Sequence, residues 1–225
     1  NARGDSACER FFLPDAKLIK EHEKTRTPLL SMESMRPLSD FDVIFVMLSF
    51  ELDYDNLLKV LDLGNVKLRA KDRNSREPLL IIGGPCATFN PEPLSQVADA
   101  FVIGEGEETV QKILDEIYAG DNKADRLERL CQIPGVYVPS FYEANYDEAG
   151  NFGGLVPSGK APDKIARQWV KDIDAYPHTS VILTDKTEFE DMYIVEVARG
   201  CGRHCRFCMA GYCFRKPRPR KLENI

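Results

Sequence analysis

No apolar run in this chain approaches the roughly 18–20 residues a membrane-spanning helix requires. The first residues show no basic-then-apolar secretion signal, so a cytoplasmic protein with no membrane partner is expected. An initiator Met is also missing, so the numbering is expected to begin inside a longer chain or after processing. An even, evenly spread set of cysteines, the mark of a secreted disulfide framework, is absent too: there are seven, an odd number. Cys8, Cys86 and Cys131 stand singly and are expected as buried or half-buried thiols, whereas Cys201, Cys205, Cys208 and Cys213 crowd into the C-terminal end. Acidic residues are missing from the basic stretch near the C-terminus. Residues 199–221 hold eight Lys/Arg and no Asp/Glu, which leaves 22 basic against 36 acidic residues elsewhere. An acidic body argues against a nucleic-acid surface over the whole molecule, and the basic end could take an anionic ligand. Internal repeats and low-complexity tracts are absent.

What is present reads as alternating strands and helices. Residues 41–48 (FDVIFVML), 79–82 (LLII) and 100–103 (AFVI) are short apolar runs of the kind expected for strands covered on both faces. Helices are expected at 14–24, 53–63, 91–98, 107–118 and 123–131, the second stopped by Gly64 and the fourth by Gly120. This rhythm predicts βαβ units and a mainly parallel, Rossmann-like sheet of flavodoxin type over residues 1–134. Ligands of such sheets sit at the C-terminal ends of strands. Gly83-Gly84 and Gly104-Glu105-Gly106 fall there. Residues 135–190 read as a β-rich connector, with a further strand at 164–170 and the only tryptophan, Trp169. Residues 191–225 open a new unit, in which a strand at 192–198 delivers the cysteines.

Cys201, Cys205 and Cys208 are spaced C-x3-C-x2-C, tight enough for three thiolates to converge on one small object. Three sites fit these residue types: structural zinc completed by Cys213 or His204, an ordinary cluster with Cys213 as fourth ligand, or a 4Fe-4S cluster held by three thiolates with one iron open. With Phe207 just before the last Cys and a strand before the first, the loop resembles that of the radical S-adenosylmethionine (SAM) enzymes. The resemblance implies that the strand is the first of a partial (βα)6 barrel. It further implies that Cys201, Cys205 and Cys208 bind the cluster, that the open iron chelates the amino and carboxylate groups of SAM, and that Phe207 lies near the adenine. A flavodoxin or ferredoxin would supply the electron.

A second resemblance covers more of the chain. Ile81-Ile82-Gly83-Gly84-Pro85 with Thr88, then Ala98-Asp99, then Val102-Ile103-Gly104-Glu105-Gly106-Glu107, are similar to the cobalamin-binding-type domain that precedes many radical SAM cores. This implies that Gly83, Gly84, Gly104, Glu105 and Gly106 face a cobalamin-like cofactor. His22, His178 and His204 do not sit in the Asp-x-His-x-x-Gly motif of the better-defined cobalamin binders. Gly104-x-Gly106-x-x-Thr109 also looks like a dinucleotide fingerprint, but Glu105, Glu107 and Glu108 would repel a pyrophosphate there.

The expectation is therefore the N-terminal part of a radical SAM iron–sulfur enzyme that cleaves SAM to a 5′-deoxyadenosyl radical. The chain by itself is expected to be inactive and its cluster loop poorly occupied. The basic tail 214–221 is expected either as an exposed loop or as an RNA contact, with RNA or tRNA modification as one reaction class. The competing expectation is a non-catalytic cobalamin- or partner-binding module carrying structural zinc.

Overall fold

The apolar runs at 41–48, 79–82 and 100–103 pair into one sheet. The computed structural model of this 225-residue chain describes residues 3–177, 179–185, 190–214 and 216–225. These divide into two compact units, Asn1–Gln168 and Trp169–Ile225.

In the first unit, helix α1 (Ala16–Thr25) starts where the Asp15 carboxylate accepts the Lys17 and Leu18 N–H groups at 2.9 Å. Strand β1 (Val43–Met47) leads into helix α2 (Asp53–Leu63), and strand β2 (Leu79–Gly83) into the single-turn helix α3 (Pro85–Phe89). Strand β3 (Ala100–Val102) is followed by helices α4 (Thr109–Ala119) and α5 (Lys123–Leu130), then strand β4 (Val136–Tyr137). The sheet order is β1-β2-β3-β4, parallel except for antiparallel β4. A hairpin of β5 (Tyr142–Tyr146) and β6 (Phe152–Pro157) follows, its turn held by the Asp147 carboxylate on the Ala149 and Asn151 N–H groups. The result is a mixed α/β fold with a parallel-dominated sheet, compatible with the flavodoxin type.

The two-residue period of the strands sorts the core into two faces. Ile44, Leu80, Ile82, Phe101 and Tyr137 pack with Leu57 and Leu61 of α2. Leu79, Ile81, Ala100, Val102 and Val136 point the other way, onto Ile113 and Ile117 of α4 and Leu127 and Leu130 of α5. Each of these large side chains contributes about 1.5–3 kcal/mol when fully buried. β2 is covered on both faces, as its unbroken apolar run predicts. β1 is not. It is an edge strand, and Phe45 and Met47 are 41% and 76% exposed because α4 and α5 cover the inner strands only.

The helix expected at 91–98 is a 3₁₀ turn, Glu92–Leu94. Pro91 and Pro93 remove N–H donors and restrict the residues before them, so a full helix cannot propagate there. The strand expected at 164–170 reduces to one parallel bridge, Gly104 to Gln168.

In the second unit, a 3₁₀ turn spans Ile173–Ala175, and Thr179 pairs with Val195. Strand β7 (Ala198–Arg199), helix α6 (Ala210–Cys213) and strand β8 (Arg218–Pro219) follow, with β7 and β8 antiparallel. Among the described residues, the run 192–198 forms β-bridges at Val195 and at its end, and no barrel sheet is built. Among those residues, too, no helix is long and apolar enough to cross a membrane.

Candidate metal centre and glycine turns

The glycine turns close the C-terminal ends of β2 and β3, and Thr88 joins them. Its hydroxyl donates to the Gly84 carbonyl and accepts the Gly104 N–H, both at 3.0 Å. Gly104 has φ +107°, and a Cβ there would stand 2.1 Å from the Gln168 carbonyl oxygen. Only glycine fits such a position. Main chain from residue 168 lies across the turn: Glu105 N–H donates to Gln168 O at 3.1 Å, and Gln168 N–H to Ile103 O at 2.9 Å. Beside Gly84, the Leu48 carbonyl occupies the corresponding space at 2.6 Å. Gly83 and Gly106 have only ordinary contacts, to Val102 and Val110. Glu105 is half-buried at the same turn.

The space on the Cβ side of Gly84 and Gly104 is therefore filled by this chain's own backbone, and nothing at these turns supports a cobalamin site. Cys86, buried at the start of α3, lies beside Tyr54; burial, then the charge of Glu51, pushes its thiol up, away from a reactive thiolate.

Asp99 lies at the opposite, N-terminal end of β3. Its carboxylate accepts from Leu80 N–H at 2.8 Å and from Arg73 Nε and Nη2 at 3.2 and 2.8 Å, with Lys123 Nζ at 2.8 Å. The Arg73 side chain is fully buried. This ion cluster locks two strands and the 70–73 turn, far along the strands from the glycine turns.

In the second unit the cysteine loop leaves β7 and returns through α6 to β8. At Gly200, with φ +101°, a Cβ would stand 2.4 Å from the Lys216 carbonyl. Cys201 N–H donates to Phe214 O at 2.8 Å, and Cys208 N–H to Cys205 O at 3.1 Å. Cys201, Cys205 and Cys208 are half-buried thiols, whereas Cys213 is buried in α6. Phe207 is 93% exposed, and Arg203 and Arg206 are exposed too. Cys86 and Cys131 are buried as expected, but Cys8 is exposed.

Residues 1–139 match the family described as radical SAM proteins, N-terminal. The chain belongs to this radical SAM family. It is also 27% identical, over 214 residues, to an uncharacterized protein of Methanocaldococcus jannaschii. That alignment covers 93% of this chain and 39% of the relative, so the chain spans well under half the length of the curated relative it matches.

The family match ends before the cysteines, so the loop is a separate observation on the same radical SAM chain. Its donor set fits a cluster: three thiols within eight residues, none in a disulfide, on a segment with little regular structure. Among the described residues, no three His, Cys, Asp or Glu side chains are drawn together closely enough to hold one ion. Cluster binding would therefore require the three thiols to turn inward.

The basic tail is largely engaged within its own unit. Arg220 is buried. Arg218 donates to the Val170 carbonyl, and Lys216 and Arg218 lie 4.5 and 5.6 Å from the Trp169 ring centre. His178 and Arg215 lie outside the described residues. Sequence reading missed Glu196 and Trp169, the groups these cations meet. The available signal for Glu196 was a single carboxylate inside an apolar run, three residues before Arg199.

Proposed function

We propose that this chain is the N-terminal part of a radical SAM enzyme whose 4Fe-4S cluster is held by Cys201, Cys205 and Cys208. The observation that carries the reading is a C-x3-C-x2-C loop in a chain whose first 139 residues match the radical SAM N-terminal family. When bound, the cluster supplies one electron, received from a donor of the flavodoxin or ferredoxin kind, for reductive cleavage of SAM to methionine and a 5′-deoxyadenosyl radical.

The chain's own part is to bind and position. Cys201, Cys205 and Cys208 would hold the cluster as thiolates and leave one iron open to ligand, the same open-position logic as other catalytic metal sites. Phe207, already outside the core, offers its ring to the adenine. Arg203 and Arg206 offset part of the thiolate charge. The preceding run 192–198 is read as the first strand of a (βα)6 barrel completed by sequence beyond this chain. The first unit is read as a carrier domain, without cobalamin, because its turns are filled by Leu48 and Gln168 backbone. Substrate and reaction type are left unassigned; RNA modification, raised by the basic tail, loses charge to the internal contacts of Arg218 and Arg220.

Anaerobic reconstitution of the full-length protein, followed by metal and sulfide analysis, tests this reading. Iron and acid-labile sulfide in equal amounts are expected, lost when the three cysteines are changed to Ala and kept in Cys213→Ala. One zinc per chain without sulfide, released by Cys213→Ala, would instead identify a structural zinc module.

A further inference from the structure

Glu196 is the one carboxylate in the apolar run before the cysteines, and two guanidinium groups converge on it. Arg199 donates from Nε to Oε1 at 2.7 Å and from Nη2 to Oε2 at 3.1 Å. Arg220 reaches the same carboxylate from the far side of the loop, Nη2 to Oε2 at 2.5 Å. Its Nη1 donates to the Ile173 carbonyl and, at 3.3 Å, to that of Tyr176, with Asp174 at 3.9 Å. The backbone agrees: Arg220 N–H donates to Val197 O at 3.0 Å, beside the β7–β8 pairs Ala198–Pro219 and Arg199–Arg218.

Two residue pairs alone cannot fix the register of a loop spanning 200–217. A two-stranded pairing this short is marginal, and a one-residue slip would turn every side chain of β7 to the opposite face. An ion group of this kind, with Arg220 buried and Glu196 and Arg199 half-buried, is a poor source of net stability compared with apolar packing, and the best-attested use of such groups is to specify register. We propose that Glu196, gripped by Arg199 and Arg220, clasps the two ends of the cysteine loop, and that Glu196 and Arg220 are positioning residues for the cluster. This rests on the reading of Cys201, Cys205 and Cys208 as iron ligands. The hydrogen bond from Arg199, together with that from Arg220, outweighs burial and holds the Glu196 carboxyl below the usual carboxylate range, so the clasp is charged at neutral pH.

The test uses the full-length protein, reconstituted anaerobically, with two readouts: the rate of iron loss to a chelator and the electron paramagnetic resonance line shape of the reduced cluster. Removing a group that orients metal ligands typically weakens a site about 10- to 100-fold. Glu196→Gln and Arg220→Met are expected to lose iron faster by about that factor and to split the spectrum into several forms. Arg220→Lys, which keeps charge without the planar fork, falls between them and wild type; it carries the same test if Glu196→Gln does not accumulate as folded protein. Val170→Ala, a buried deletion in the same unit outside the Glu196–Arg199–Arg220 group, is the stability control and should keep the wild-type line shape. Wild-type iron retention and line shape in Glu196→Gln and Arg220→Met would overturn the proposal. So would equal iron loss in Val170→Ala at matched thermal stability. A wild type that takes up no iron, or a triple-cysteine variant that keeps it, overturns the cluster reading itself and the clasp's role with it.

Discussion

Gly104→Ala distinguishes a packing glycine from a ligand-facing one. The new Cβ would stand 2.1 Å from the Gln168 carbonyl oxygen, well inside van der Waals contact, at φ +107°. Left-handed strain alone costs about 1–3 kcal/mol. Pushing residue 168 away also weakens the Glu105–Gln168 and Gln168–Ile103 hydrogen bonds, each worth about 0.5–1.5 kcal/mol net. The total expected loss is about 2–5 kcal/mol, a large part of a typical domain's 5–15 kcal/mol. Urea denaturation of this chain followed by far-UV circular dichroism reads it, because the long helices α2 and α4 lie in the first unit. Gly106→Ala is the companion: its Cβ meets only Val110 at 3.6 Å, so a change within about 1 kcal/mol is expected. If Gly104→Ala unfolds within about 0.5 kcal/mol of wild type, the packing argument is wrong and a ligand-facing role for the turn regains its place.

Asp99→Asn leaves the buried Arg73 and Lys123 without their counter-charge, and a loss of about 3–5 kcal/mol in urea unfolding is expected. Thr88→Val keeps the shape but strips the partner from Gly104 N–H; about 1–3 kcal/mol should be lost, while Thr88→Ser stays nearer wild type. Tyr137 donates to Glu92 at 2.7 Å, and burial followed by that bond raises its phenol above the ordinary value. A raised folded-state value contributes stability that is present below the unfolded pKa of about 10 and lost as pH rises above it. Thermal melts should therefore fall more steeply above about pH 10 in wild type than in Tyr137→Phe, and parallel curves would count against that assignment.

The first unit was legible in the sequence wherever apolar period and length agreed. Residues 79–82 had to be a doubly covered strand, and α2 and α4 followed from their apolar stripes and terminal glycines. Side-chain chemistry could not say where the sheet ended, so β1 read like a central strand although Phe45 and Met47 face outward. The turns at Gly83-Gly84 and Gly104 were located correctly. What occupies the space beside them was not readable, because Gln168 and Leu48 are brought there by tertiary folding rather than by any local pattern. The cysteine spacing is what suggests cluster chemistry in the second unit, whereas the ion group beside the loop was hidden. Glu196 and Arg220 are 24 positions apart, and no local rule pairs them. The basic tail likewise read as surface charge, since sequence alone cannot reveal that Arg220 is buried.

A cluster held by Cys201, Cys205 and Cys208 with one open iron is what we propose for the second unit. Its most direct measurement is the electron paramagnetic resonance spectrum of the reduced, reconstituted full-length protein before and after SAM is added. The cluster signal is expected to shift with SAM, as binding of its amino and carboxylate groups to an open iron would require, and to vanish in the triple-cysteine variant. A cluster signal unchanged by saturating SAM, or protein that holds zinc in place of iron and sulfide, would contradict it.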